Sequence, residues 1–278
     1  MFSERTLIMK IPDEVFASGM FIDSRGTTIP YRYYLPEGYE TAGKRYPLFL
    51  YLHGNGSRGS DNAAQITTYG ATFNAAVLNS GHDCIMLAPQ CPAHPNEWID
   101  RLAYPGSDAF ADDLADGKLE RIHLNAAIEL LSSFIQNEAY RVDTSRIYVA
   151  GPSNGGAATW ALTAAYPYVF AAAIPMCGAG QAMSPMTKAG VDALVPRWLH
   201  TPIWAFHGDA DKMLSIEGTK TLVNAIKAAG GDKIRFTVIP GGPHNIVTTV
   251  AATDGLTDWL FAQKNDNFVN TLPTPTLC

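Results

Sequence analysis

Cysteine is scarce in this 278-residue chain: Cys84, Cys91, Cys177 and Cys278, with no Cys-x-x-Cys pair and no histidine–cysteine cluster at zinc spacing. The spacing of a structural zinc module is therefore missing. Cys84 and Cys177 lie in apolar runs and read as small buried hydrophobes; a disulfide through Cys84 or Cys91 is the alternative for an exported protein. Basic clusters are missing too. Twenty Lys and Arg are scattered among 26 Asp and Glu for a formal net charge of −6, which leaves no electrostatic footprint for nucleic acid or anionic lipid. No apolar run approaches the roughly 20 residues of a bilayer-spanning helix, and the first ten residues lack the charged-then-apolar order of a signal peptide. No membrane partner is expected, and the compartment, cytoplasmic or secreted with its leader removed, stays open, as does the oligomeric state.

What is present is material for a large core: 47% hydrophobic against 17% charged residues, which excludes a disordered chain. The runs Met20-Phe21-Ile22 and Ile29 to Leu35, split by Ser24-Arg25-Gly26, predict an antiparallel edge hairpin. Tyr46 to Leu52, Cys84 to Pro89, the Ile147 to Ala150 part of the run that starts at Arg146, Phe170 to Met176 and Pro202 to Phe206 are short and apolar, as strands covered on both faces are. Ile234 to Ile239 alternates as a further strand. Between them fall helical patterns over 118–140, after Ser153, over 216–229 (stopped by Gly230-Gly231) and over 256–263. Residues 90–117 read as irregular, and 181–200 as a helical flap or a crossover helix. Strands alternating with helices predict an α/β fold, a doubly wound, mostly parallel sheet with helices on both faces and its sites at the strands' carboxyl ends. No composition break forces two domains: residues 1–264 read as one, with 265–278 a loose polar, Pro/Thr-rich tail.

The stretch that organises the rest is Arg146-Ile147-Tyr148-Val149-Ala150-Gly151-Pro152-Ser153-Asn154-Gly155-Gly156. Gly-x-Ser-x-Gly between a strand and a helix lets the backbone turn so tightly that the serine hydroxyl stands free above the sheet. A serine hydroxyl needs a base, and the base needs an orienting acid. For this topology the chain order is Ser, then Asp or Glu, then His. His244 is the only histidine after Asp211, and it sits in a Gly/Pro-rich loop following a late strand. The acid is Asp209 or Asp211 in the loop after the Trp204 strand. The backbone N–H of Asn154, with that of Asn55 in the glycine-rich loop His53-Gly54-Asn55-Gly56, would form an oxyanion hole. His53 precedes Ser153 and reads as support for that loop, and His207 as a structural residue at a strand end. Trp160 and Trp204 are core candidates, whereas Trp98 and Trp198, in irregular segments near strand ends, are candidates to line a substrate site.

Taken together, Tyr51-Leu52-His53-Gly54-Asn55-Gly56 with Gly59-Ser60-Asp61-Asn62, Ala88-Pro89-Gln90-Cys91-Pro92 with Trp98, the Ser153 elbow with Asp143, Phe206-His207-Gly208-x-x-Asp211 and Gly242-x-His244-Asn245 resemble the α/β-hydrolase superfamily. The likeness is strongest to its esterase branch of feruloyl and acetyl xylan esterases and polyhydroxybutyrate depolymerase-like proteins, over residues 20–263. The resemblance implies the α/β-hydrolase fold, Ser153 as nucleophile, Asp211 as the acid and His244 as the base. It also implies no metal or organic cofactor, and a small, polysaccharide-linked or polyester ester as substrate. A prolyl-oligopeptidase-type serine peptidase and a non-catalytic binding module on the same fold are the alternatives. Two departures stand out: Asn154 replaces the Met usual after the nucleophile, where its side chain would alter acyl-pocket polarity, and Pro152 stiffens the elbow.

Overall fold

A computed structural model describes residues 9–40, 43–115, 121–180 and 183–274. Eight strands form one sheet: β1 (Ala17–Ile22), β2 (Thr28–Tyr34), β3 (Tyr46–Tyr51), β4 (Ile85–Pro89), β5 (Val142–Pro152), β6 (Ala172–Met176), β7 (Ile203–Gly208) and β8 (Ile234–Ile239). Their spatial order is β1-β2-β4-β3-β5-β6-β7-β8. The β1–β2 hairpin and its pairing with β4 are antiparallel, and every pairing from β4 to β8 is parallel. This is the α/β-hydrolase fold, a mostly parallel sheet wound on both faces.

The apolar runs form central strands because both of their faces are covered. Every residue of β3, β4 and β6 is buried. Along β3 the pleat sends Leu48 and Leu50 to one layer, with Leu124 and Phe134 of the helix Ile122–Gln136 and Ala157 and Ala161 of the helix Asn154–Ala165. Phe49 and Tyr51 point the other way, toward Phe73, Val77, Val250 and Leu260. Edge strand β1 buries none of its residues fully and leaves Met20 and Ile22 exposed.

Three sequence expectations change here. Residues 90–117, read as irregular, contain the helix Asp108–Ala115, which buries Phe110. The helix expected over 118–140 starts at Ile122 and ends at Gln136, its residues 118–120 lying outside the described residues. The expected loose tail is docked as far as Leu272: Asn265 N–H donates to Ser145 O at 2.8 Å, its side chain donates to Tyr168 O at 2.7 Å, and Leu272 is buried. Over 183–200 the crossover-helix reading holds, as Lys188–Trp198. Cys84, Cys91 and Cys177 are buried free thiols, as read for Cys84 and Cys177, and the alternative of a disulfide through Cys84 or Cys91 is not realised.

Candidate active site

Ser153 stands at the end of β5, where the strand gives way to the helix Asn154–Ala165. Its backbone has φ 55° and ψ −122°, a region costly for a residue with a Cβ, on the order of 1–3 kcal/mol. Close packing imposes that turn. A Cβ on Gly155 would lie 1.9 Å from Leu52 O, and one on Gly151 2.3 Å from the same oxygen, so both flanking positions admit glycine alone. The turn directs the hydroxyl to His244, whose Nε2 lies 2.8 Å from Ser153 Oγ. His244 Nδ1 is 2.7 Å from Asp211 Oδ2.

Asp211 is held in turn. Its Oδ1 accepts from the Met213 and Leu214 amides at 2.8 and 3.0 Å, and the side chain is fully buried. Burial alone would raise its pKa, but the bonds from His244 and those amides outweigh it and hold the carboxyl below its ordinary value. An anionic Asp211 needs a donor at His244 Nδ1. That leaves Nε2 as the lone-pair nitrogen facing the serine, the tautomer a general base requires. Asp209, the other acid considered, instead accepts from Gly241 N–H at 2.6 Å and braces the loop that carries His244.

The glycine-rich loop lies directly over the elbow: a Cβ on Gly54 would sit 3.2 Å from Pro152 O and 3.4 Å from Ser153 Cβ. Among the described residues, neither the Asn55 nor the Asn154 amide N–H donates to a protein acceptor, which leaves both for an incoming oxygen. His53 fastens the loop. Its Nδ1 donates to Gly54 O at 2.7 Å and its Nε2 accepts from Cys91 N–H at 2.9 Å, so one neutral tautomer is fixed. Burial lowers its pKa to about 4, which keeps it neutral and in place. The Asn55 side chain donates to Glu97 Oε1 at 2.8 Å, where Arg58 and Arg101 also pair. Gln90 ties the next segment by donating to Asp61 Oδ1 at 2.8 Å and accepting from Asn62 N–H at 2.8 Å.

Three expectations about side chains are overturned. Trp98 and Trp198, expected to line a substrate site, are each 1% exposed and face the core. Trp98 Nε1 donates to His53 O at 2.9 Å and Trp198 Nε1 to Trp160 O at 3.0 Å, so burying the rings also satisfies their polar edges. The Asn154 side chain does not reach the pocket either. It accepts from Trp98 N–H at 2.8 Å and Ile99 N–H at 3.3 Å, and donates to Ile99 O at 2.8 Å and Tyr104 Oη at 3.2 Å. Asn154 thus staples the loop 98–104 to the elbow in place of apolar packing. Asn154→Ala would leave those buried groups unpartnered and cost about 2–4 kcal/mol, a fall in Tm of roughly 5–15 °C at this size; thermal unfolding by circular dichroism measures it, and an unchanged Tm would contradict the role.

The space beside Ser153 is a cleft of about 250 Å³ walled by Gly54, Asn55, Gly56, Tyr69, Pro152, Met213, His244, Asn245 and Val247. Tyr69, Met213 and Val247 were not singled out in the sequence, since an apolar residue outside a strand carries no signal of what it faces. Cys177 Sγ, an Asp211 oxygen and a His244 ring nitrogen lie within 4.8 Å of one another, a potential donor set for a cation. Their chemistry argues against that use. The thiol donates to His244 O at 3.0 Å and burial pushes its pKa up to about 12, while the imidazole is shared between Asp211 and Ser153.

Comparison with known proteins gives the family. The family model described as phospholipase/carboxylesterase matches residues 39–252. A probable carboxylesterase of Oryza sativa subsp. japonica is 29% identical over 180 residues, 62% of this chain and 70% of that protein. A poly(3-hydroxybutyrate) depolymerase of Ralstonia pickettii is 28% identical over 144 residues, half of this chain but 27% of its own length. Among solved structures, a thermostable esterase superposes with a TM-score of 0.70 at 31% identity, covering 91% of this chain, which spans 64% of that one. With the matched region running through the glycine-rich loop, the elbow and the His244 loop, the chain belongs to the phospholipase/carboxylesterase family and is an α/β-hydrolase of carboxylesterase type.

Proposed function

We propose that the protein is a serine esterase that hydrolyses small carboxylic esters through an acyl-enzyme on Ser153. The observation that carries the reading is the unbroken hydrogen-bond chain from Ser153 Oγ through His244 to Asp211, at 2.8 and 2.7 Å. His244 Nε2 takes the serine proton as Oγ attacks the ester carbonyl, and Asp211 stabilises the imidazolium without itself taking the proton. The carbonyl oxygen becomes an oxyanion received by the Asn55 and Asn154 amides, a type of contribution worth roughly 3–4 kcal/mol per donor. Collapse of the tetrahedral intermediate breaks the C–O bond, and His244 returns its proton to the departing alkoxide. Water then enters, gives a proton to the same nitrogen and attacks the acyl-serine. A second collapse releases the acid and restores Ser153.

The cleft supports a small acyl group. Tyr69, Pro152, Met213 and Val247 give it apolar walls, and about 250 Å³ accommodates an acetyl, short-chain or single-ring acyl such as feruloyl. The names of the relatives, a carboxylesterase and a polyester depolymerase, support an ester as substrate. A panel of p-nitrophenyl acetate, methyl ferulate, acetylated xylan, hydroxybutyrate oligomer and a dipeptide amide tests the class. Hydrolysis of one or more esters with the amide untouched is the expected outcome, and amide cleavage at a comparable rate would instead favour a peptidase.

A pH dependence follows from the base. Only the neutral imidazole accepts the serine proton, so adding a proton to His244 removes the catalyst and activity falls on acidification. Asp211, held below its ordinary value, stays ionised across that fall. Initial rates from neutral pH downward should therefore show a single-proton acid limb in kcat/KM, and a profile flat to about pH 4 would contradict His244 as base.

A further inference from the structure

His207, at the end of β7, is a titratable side chain that the reaction as written does not use, and it has no exposed surface. Its Nε2 faces two acceptors, Leu214 O at 3.0 Å and Asp211 Oδ2 at 3.2 Å. Neither oxygen carries a hydrogen, so Nε2 must be the protonated nitrogen. Burial lowers the ring's pKa and keeps it neutral, which makes Nδ1 an acceptor for the hydroxyl of Thr219, 2.7 Å away on the helix Ile216–Ala228. One tautomer is thereby fixed, with its single N–H bonded to Leu214 O and that same ring edge 3.2 Å from the carboxylate beside His244.

Asp211 then has three hydrogen-bond donors, the Met213 and Leu214 amides on Oδ1 and the His244 N–H on Oδ2, and the Nε2–H edge of His207 lies 3.2 Å from that same Oδ2. The titratable groups facing His207 are Asp211 and His244, with the protonated Cys177 thiol against His244 O on the β6 side. The helix Ile216–Ala228 turns Thr219 toward the ring, while its Glu217 and Lys220 pair with each other at 2.7 Å in solvent.

The geometry points to His207 as a positioning residue for the esterase reaction, a neutral ring whose Nε2–H edge, held by Leu214 O, lies against Asp211 Oδ2 and tempers how strongly that carboxylate draws on the imidazole. The inference rests on the proposed roles of Ser153, Asp211 and His244. Removing the donor leaves Oδ2 with more charge to place on His244 Nδ1–H and frees the carboxylate to rotate. The first effect stabilises the imidazolium, so the acid limb moves to higher pH; the second misplaces the base and lowers kcat. Substrate contacts are untouched, so KM should hardly change.

The test measures kcat and KM on p-nitrophenyl butyrate across about pH 5–9 for the full chain carrying His207→Phe or His207→Gln, with active sites counted by mass after exhaustive fluorophosphonate labelling. Phe keeps the bulk without the N–H, whereas the Gln amide returns a donor near the Nε2 position. We expect His207→Phe to lose about 10- to 100-fold in kcat with KM within about threefold and an upward-shifted acid limb, and His207→Gln to recover most of both. A wild-type kcat and limb in His207→Phe would overturn the inference, as would equal losses in both variants with the limb unmoved. Should His207→Phe not fold, His207→Leu, smaller and equally without an N–H, takes its place. Its limb should move the same way, and an unmoved limb would overturn the inference. Failure of the esterase reading itself is seen separately, as activity retained in Ser153→Ala.

Discussion

Ser153→Ala is expected to lower kcat for p-nitrophenyl ester hydrolysis by about 10⁴–10⁶-fold. The hydroxyl is the group the elbow presents to the cleft that can form a covalent acyl intermediate, and the strained φ of 55° holds it 2.8 Å from His244 Nε2. Alanine fits the same turn, so the fold should persist and the Tm should stay near that of the wild type. The activity that remains would come from the Asn55 and Asn154 amides and from binding alone. Hydrolysis within tenfold of wild type, by purified protein free of contaminating esterase, would remove Ser153 from the mechanism.

Asp211→Asn is expected to cost on the order of 10³–10⁴-fold in kcat, the size seen when a triad acid becomes its amide. The argument is one of hydrogen-bond direction. Oδ1 accepts from two backbone amides, so an asparagine would keep its oxygen there and turn its NH₂ toward Oδ2's partners, His244 and His207. That NH₂ needs an acceptor at His244 Nδ1, which moves the ring proton to Nε2, opposite Ser153 Oγ. A protonated Nε2 cannot take the serine proton. Initial-rate kinetics at neutral pH measure the loss. A variant with more than about a tenth of wild-type kcat would show that the tautomer is not set from Asp211.

Much of the architecture was readable in the chain because its signals are local. Runs such as Leu48-Phe49-Leu50 and Ile85-Met86-Leu87 must be covered on both faces, and the structure buries them in central strands. Gly151 and Gly155 signal a turn tight enough that a Cβ would strike Leu52 O. What escaped the sequence depends on partners distant along the chain. An indole in an irregular segment looks the same whether it faces a ligand or the core, and for Trp98 and Trp198 the carbonyls of His53 and Trp160 decide it. Asn154 read as a polar wall because its four partners, on Trp98, Ile99 and Tyr104, lie at least 50 residues earlier. The 265–272 stretch is polar by composition, yet Phe268 and Leu272 suffice to dock it on the core. Asp209 and Asp211 are two residues apart in one loop. The choice between them came from the resemblance, and only Asp211 meets the His244 ring.

The most direct measurement for the central claim is covalent labelling. The intact protein would be incubated with a fluorophosphonate, digested, and its adduct mapped by tandem mass spectrometry. One phosphonyl group per chain on the Ser153 hydroxyl, with ester hydrolysis lost in step and labelling slowed by acidification, is the predicted result. A fully active protein that stays unlabelled, or an inactivating adduct on any other residue, would contradict it.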